Sequence, residues 1–168
     1  MNNHTSRRFF LRSAPAAAAA GLALTDASLL AAPPAAPMPF QVFTDQQLAD
    51  DAKALQAKPG NNNLVDIKSA TMVMTTEPAR SAKEFEWHEG RDHIVQILDG
   101  TTLYEVGGTP KGGHSKAPGE WNSPESEGAT KLTLKKGDML TIPRGTPHKR
   151  TTPDSVTLIL ISSQGMLM

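Results

Sequence analysis

The chain contains no cysteine, which excludes disulfides, a thiolate nucleophile and any sulfur-ligated zinc or iron site other than through methionine. Any metal must therefore be held by histidine and carboxylate. Neither sign of charge is in excess: 17 Lys+Arg balance 17 Asp+Glu over 168 residues. Beyond the N-terminal segment there is no basic run of five and no interleaved aromatic stripe, so nucleic acid is not an expected partner and a small molecule is. Internal repeats are absent too. The length suits one ordinary domain once the first thirty or so residues are set aside.

Those first residues read as a targeting segment. Arg7 and Arg8 precede Phe9, Phe10 and Leu11, and a small, mildly apolar run rich in alanine follows, the order of a positive n-region and an h-region. Ser6-Arg7-Arg8-Phe9-Phe10-Leu11 closely resembles the twin-arginine export motif residue by residue, with Arg12 at the usual basic position. Pro15, Asp26 and the small residues make a poor membrane span. Thr25-Asp26-Ala27 is the best small-x-small cleavage site, which predicts a signal peptide over 1–27 and a Pro/Ala-rich linker over 28–43. Removing 1–27 leaves 14 basic and 16 acidic residues, a net charge of about −2. The resemblance implies a periplasmic or secreted protein, with no membrane attachment in the mature form. That pathway exports folded proteins and is much used by those that acquire a cofactor in the cytoplasm.

Thr44 and Gln47 have capping-box spacing, and Leu48, Ala52 and Leu55 recur at helical intervals until Lys58-Pro59-Gly60, which predicts one short helix over 44–60. Thereafter helical periodicity disappears. Short β-rich runs over 64–75, 82–88, 93–98, 101–106, 130–134, 138–142, 148–152 and 155–162 are bounded by Gly, Pro, Asp or Asn. About eight close-set strands without intervening helices predict an all-β antiparallel sandwich or jelly-roll barrel. Residues 107–128 break the rhythm and are expected as a long loop: either an irregular insertion or a lid whose Trp121 closes over the barrel mouth.

Two of the five histidines, His88 and His93, fall within six residues. Alternating runs on either side of Glu89-Gly90-Arg91-Asp92 predict a β-hairpin with a four-residue loop. In symmetric closure His88 faces His93, with Cβ atoms about 5 Å apart, near enough for both rings to share one metal. Glu84 and Glu86 then share a face. His114 is expected at the surface. Gly100, Gly137 and Gly145 read as turn residues that admit positive φ.

Downstream, Gly137, Pro143, Gly145 and His148 match, at the right spacing, the second motif of the cupin superfamily, with Thr152 in place of its asparagine. Counting back from Gly100 through that family's first motif puts His93 at the glutamate position, His88 at the second histidine and Glu86 where the first would be. Glu and His have traded places. The resemblance covers residues 64–162. It implies an all-β cupin double-stranded β-helix, a jelly-roll barrel with a short N-terminal helix, over 61–168.

Residue by residue, the resemblance also implies one divalent metal ion (Fe, Mn, Ni, Zn or Cu) held by His88, His93 and His148, with Glu86 as fourth ligand if it points inward. A slipped strand leaves three histidines instead. Arg144, Lys149 and Arg150 stand near His148 as solvated rim or as binders of a substrate carboxylate; Arg150 fits best, because it shares the face of His148 in a regular strand. Arg150 and Trp121 are thus the expected substrate-binding residues. Catalytic residues are not assigned. Dioxygenase-type or isomerase/lyase-type chemistry is consistent with open coordination positions. The competing readings are a non-catalytic module for a sugar or aromatic compound, and a cupin with a purely structural metal. A homodimer is implied by resemblance alone.

Overall fold

The computed structural model describes residues 40–165. The signal peptide expected over 1–27 and all but the last four residues of the linker expected over 28–43 lie outside the described residues.

Helix α1 (Asp45–Ala57) begins at the expected capping box. Thr44 Oγ1 accepts from the Gln47 amide at 3.2 Å and Gln47 Oε1 accepts from the Thr44 amide at 3.0 Å, which satisfies donors otherwise left open at a helix start. One face of the helix, carrying Leu48, Ala52 and Leu55, packs against Leu64, Met74 and Ile159. Among the described residues no helix is long and apolar enough to cross a membrane.

The strands are β1 (Gly60–Ile67), β2 (Ala70–Ser81), β3 (Phe85–His88), β4 (Arg91–Val106), β5 (Thr109–Lys111), β6 (His114–Ala117), β7 (Glu120–Ser123), β8 (Glu125–Glu127), β9 (Thr130–Lys135), β10 (Met139–Ile142) and β11 (His148–Gln164). Nine belong to one sheet, while β5 and β8 pair with each other. The longest ladder joins β4 to β11, antiparallel from Arg91↔Gln164 to Val106↔His148. On its other side β4 carries β10 along its first half and β9 along its second, so one strand serves both layers of the jelly roll. The β4–β11 register shifts between Thr151 and Val156, opposite Gly100. Gly100 has φ +78°, and a Cβ there would lie 2.2 Å from the Ser155 carbonyl oxygen, so the bend admits only glycine.

Alternation along the strands sorts side chains into two compartments. Val95, Ile97, Tyr104, Leu134, Ile142, Val156 and Leu158 form the barrel interior. Ile159 faces the other way, toward Met74 and α1. Both faces of this part of β11 are covered, and residues 156–159 are all buried. Each fully buried aliphatic side chain here contributes on the order of 1.5–3 kcal/mol.

Three expectations are corrected. The run over 64–75 is a hairpin, β1 against β2, with Ile67 opposite Ala70. The runs at 93–98 and 101–106 are one bent strand, as are those at 148–152 and 155–162. Residues 107–128 are not an irregular loop but contain β5 to β8, and β7 pairs along β3, from Phe85↔Ser123 to His88↔Glu120. That segment satisfies its backbone groups as sheet, which its Gly and Pro content did not suggest.

Candidate metal centre

His88 enters from the end of β3, His93 from the start of β4 and His148 from the start of β11. All three are buried. One ring nitrogen from each lies within 4.8 Å of the others, and this is the cluster of potential metal ligands among the described residues. Ring centroids are 4.9 Å apart for His88 and His93, and 5.5 Å for each of them from His148, with every pair edge to face.

The sequence brings these residues together, though not by the expected hairpin. β3 pairs with β7 and β11, not with β4, while His93 is opposite Ile142 on β10 and Ser162 on β11. His88 and His93 therefore meet across the barrel. The second motif is tied to both: the Gly145 amide donates to the His88 carbonyl at 2.8 Å. Arg144 grips Asp92, its amide to Oδ1 at 2.8 Å and its Nη2 to Oδ2 at 2.5 Å. This hydrogen bonding holds the Asp92 carboxyl well below the usual carboxylate range and raises Arg144. Arg144, considered from sequence as a substrate contact, thus fastens the loop before His148 to the strand that carries His93.

Each ring is held from behind through Nδ1. That of His148 lies 3.0 Å from the Thr146 carbonyl oxygen and that of His93 2.9 Å from Ser162 Oγ. A carbonyl can only accept, so His148 carries its proton on Nδ1 and presents the Nε2 lone pair. His88 Nδ1 lies 2.7 Å from Glu120 Oε2 and 2.8 Å from Arg91 Nη2, and the guanidinium is 2.5 Å from that same carboxylate oxygen. One ring nitrogen holds one proton, so the arrangement that satisfies all three groups has Nδ1–H and Arg91 both donating to Glu120. Burial, then the neighbouring His148 and His88, push His93 down to about 3. Burial likewise lowers His148, against the opposing pull of the Thr146 carbonyl. Neutral imidazole is the form that ligates a metal.

Glu86 shares the face of His88, two residues along β3, but it is exposed and stands outside the 4.8 Å group; its Oε1 is 3.8 Å from His148 Nε2. A cavity of about 310 Å³ opens beside the histidines, with Glu86, His93, His148, Tyr104 and Arg150 on its wall. Arg150 lines this cavity. Its Nη2 is paired with Glu77 and its Nη1 lies 3.4 Å from the Tyr104 hydroxyl. Burial raises Tyr104, which keeps that hydroxyl a donor.

Trp121 does not line this cavity. It stacks on Trp87, its cross-strand partner, with centroids 5.9 Å apart and planes 8° off parallel, and its Nε1 donates to Glu89. The lid reading is replaced by a wall strand. His114 is exposed, as expected, 3.9 Å from Glu84. Sequence reasoning missed Glu120, Arg91, Ser162 and Thr146. Glu120 lay in the segment read as a loop and Arg91 in the segment read as a hairpin turn.

No protein-family model and no curated protein matches the sequence. Among solved structures, the chain is similar to a protein from Bacillus halodurans, at 16% identity and a TM-score of 0.53, over 79% of this chain and 86% of that one. It is also similar to a conserved protein with a double-stranded β-helix domain from Klebsiella pneumoniae (12% identity, TM-score 0.48, 77% and 95% covered). A cupin protein from Bacteroides fragilis is a further match (14%, 0.46, 64% and 78%). Likeness at such identities concerns the fold alone. With its antiparallel strands in jelly-roll order and one short helix ahead of them, the chain has an all-β jelly-roll fold, similar to that of the Bacillus halodurans protein.

Proposed function

We propose that this is an exported metal-binding cupin in which His88, His93 and His148 hold one divalent ion and a small organic molecule occupies the adjoining cavity. The observation that carries the reading is the set of three buried imidazoles, one nitrogen of each within 4.8 Å of the others, each fixed through Nδ1. Such outward hydrogen bonds orient rings for ligation. An all-nitrogen trio suits iron, manganese, nickel, zinc or copper. Three ligands leave coordination positions open, so the ion would supply Lewis-acid or oxygen chemistry there.

The chain's own residues then bind and orient the organic partner. Val95, Ile142 and Leu160 give the cavity an apolar side. Arg150 and Tyr104 present a guanidinium and a hydroxyl suited to a carboxylate or phenolic oxygen. Glu86, whose Oε1 lies 3.8 Å from His148 Nε2, would take a proton from a bound molecule or complete the coordination. Export rests on the run Ser6-Arg7-Arg8-Phe9-Phe10-Leu11, and a metal taken up in the cytoplasm accords with export in the folded state.

The test is metal analysis by mass spectrometry of protein folded in the cytoplasm, beside the His88→Ala/His148→Ala variant. About one ion per chain in the native protein and none in the variant is expected. Equal content in the two would overturn the site. Oxygen uptake and turnover with diols, keto acids and phenols then separate an enzyme from a binding module.

A further inference from the structure

The three histidines are not backed alike. His93 leans on a hydroxyl and His148 on a backbone carbonyl, both neutral, whereas His88 leans on a carboxylate. Glu120 stands directly opposite His88 in the β3–β7 ladder. The strand that carries it is fixed on both sides. The Glu89 amide donates to the Gly119 carbonyl at 2.9 Å, and Trp121 is held by its stack on Trp87 and by the bond from its Nε1 to Glu89 at 2.9 Å. Arg91 donates to the same carboxylate oxygen at 2.5 Å and holds it against the ring.

We propose that Glu120, steadied by Arg91, is the positioning residue for His88: it sets the Nδ1–H tautomer, aims Nε2 at the centre and makes His88 its strongest donor. Residues 107–128 are then part of the centre's support, because their strand β7 delivers that carboxylate. A carboxylate behind an imidazole fixes the ring and raises the basicity of the opposite nitrogen, and its loss weakens metal binding by about 10- to 100-fold in known sites. The affinity consequence rests on the metal reading above. The tautomer does not, since it belongs to the metal-free protein.

Two measurements on the full chain test the proposal, with Glu120→Ala and the near-isosteric Glu120→Gln. Long-range proton–nitrogen NMR of metal-free protein should find His88 protonated at Nδ1, with the tautomers mixed in Glu120→Ala. Competition with a chelator for Zn²⁺ and Co²⁺ should show Glu120→Ala weakened by about 10- to 100-fold and Glu120→Gln by less, and the visible spectrum of bound Co²⁺ should change. Should Glu120→Ala fail to fold, Glu120→Gln carries the affinity comparison and Arg91→Gln, expected to weaken binding in the same direction, is its second arm. Native protein that binds both ions with an affinity and spectrum unaltered by these variants would overturn the proposal and leave the metal reading intact. Native protein that takes up neither ion, yet whose His88 tautomer responds to Glu120→Ala, would overturn the metal reading and support the positioning role. His88 protonated at Nε2 in the native protein would overturn the proposal outright.

Discussion

His88 and His93 stand edge to face with ring centroids 4.9 Å apart, although the strands that carry them do not pair with each other. Their approach is a product of barrel closure, and it brings two rings that disfavour a shared positive charge into a buried space. A bound cation or neutrality of both rings resolves that conflict.

A divalent ion held by the three histidines, as proposed, should therefore stabilise the fold measurably. A ligand that binds only the native state adds about 2.7 kcal/mol at a free concentration 100 times its Kd. Differential scanning calorimetry should show a lower melting temperature after chelation, restored by re-addition of the ion. His93→Ala should melt at one temperature with or without chelator.

Metal-free protein should be acid-sensitive through His93. Its folded value of about 3 lies below the ordinary 6.5, so below pH 6.5 the unfolded chain takes up a proton that the folded one refuses. The contribution is present above 6.5 and is lost as pH falls toward 3, by at most about 1.4 kcal/mol per pH unit. Urea midpoints of the chelated protein should decline over that window, and less steeply in His93→Gln.

Gly100→Ala should be much worse than Gly137→Ala. Both glycines have positive φ, but a Cβ at 100 would meet the Ser155 carbonyl oxygen at 2.2 Å and one at 137 would meet open space. About 1–2 kcal/mol is expected at Gly137 from conformation alone. At Gly100 the clash of two backbones adds to it, for a total of about 4 kcal/mol or more. Denaturant titration of the two variants checks the difference.

Arg150→Ala should destabilise the fold as well as weaken ligand binding. It removes the nearer guanidinium from Glu77, leaving only the exposed Arg80 at 3.5 Å, and the carboxylate's other oxygen is already buried without a hydrogen bond. Weakening the pairing of a partly buried carboxylate of this kind costs about 1–3 kcal/mol. Replacing both partners with methionine should recover most of that loss, because the weakly paired charge is then gone. A double-mutant cycle by chemical denaturation, run beside ligand binding, separates the structural share from recognition.

Much of this was legible locally. The Thr44/Gln47 pair set the start of α1, and β9 ends just before the turn at Gly137, which has positive φ. The resemblance of the run from Gly137 to His148 to a known family's second motif implied that His148, more than fifty residues from His93, belongs to the same cluster. The segment over 107–128 was illegible for a physical reason. Its strands are only three or four residues long, too short for a period of two to show, and the strand that anchors them, β7, pairs with β3, distant in sequence.

The sequence by itself determined the β class, the helix start and the turn at Gly137, because these depend on residues a few positions apart. Only the tertiary structure decided which strands are neighbours: β3 took β7 and β11 rather than β4. Pairing depends on long-range burial and hydrogen bonding that a local pattern does not encode, since a period of two says which face a side chain takes but not what stands opposite. That choice set Glu120 behind His88 and left Glu86 at the rim, giving the centre three histidines with a carboxylate in support.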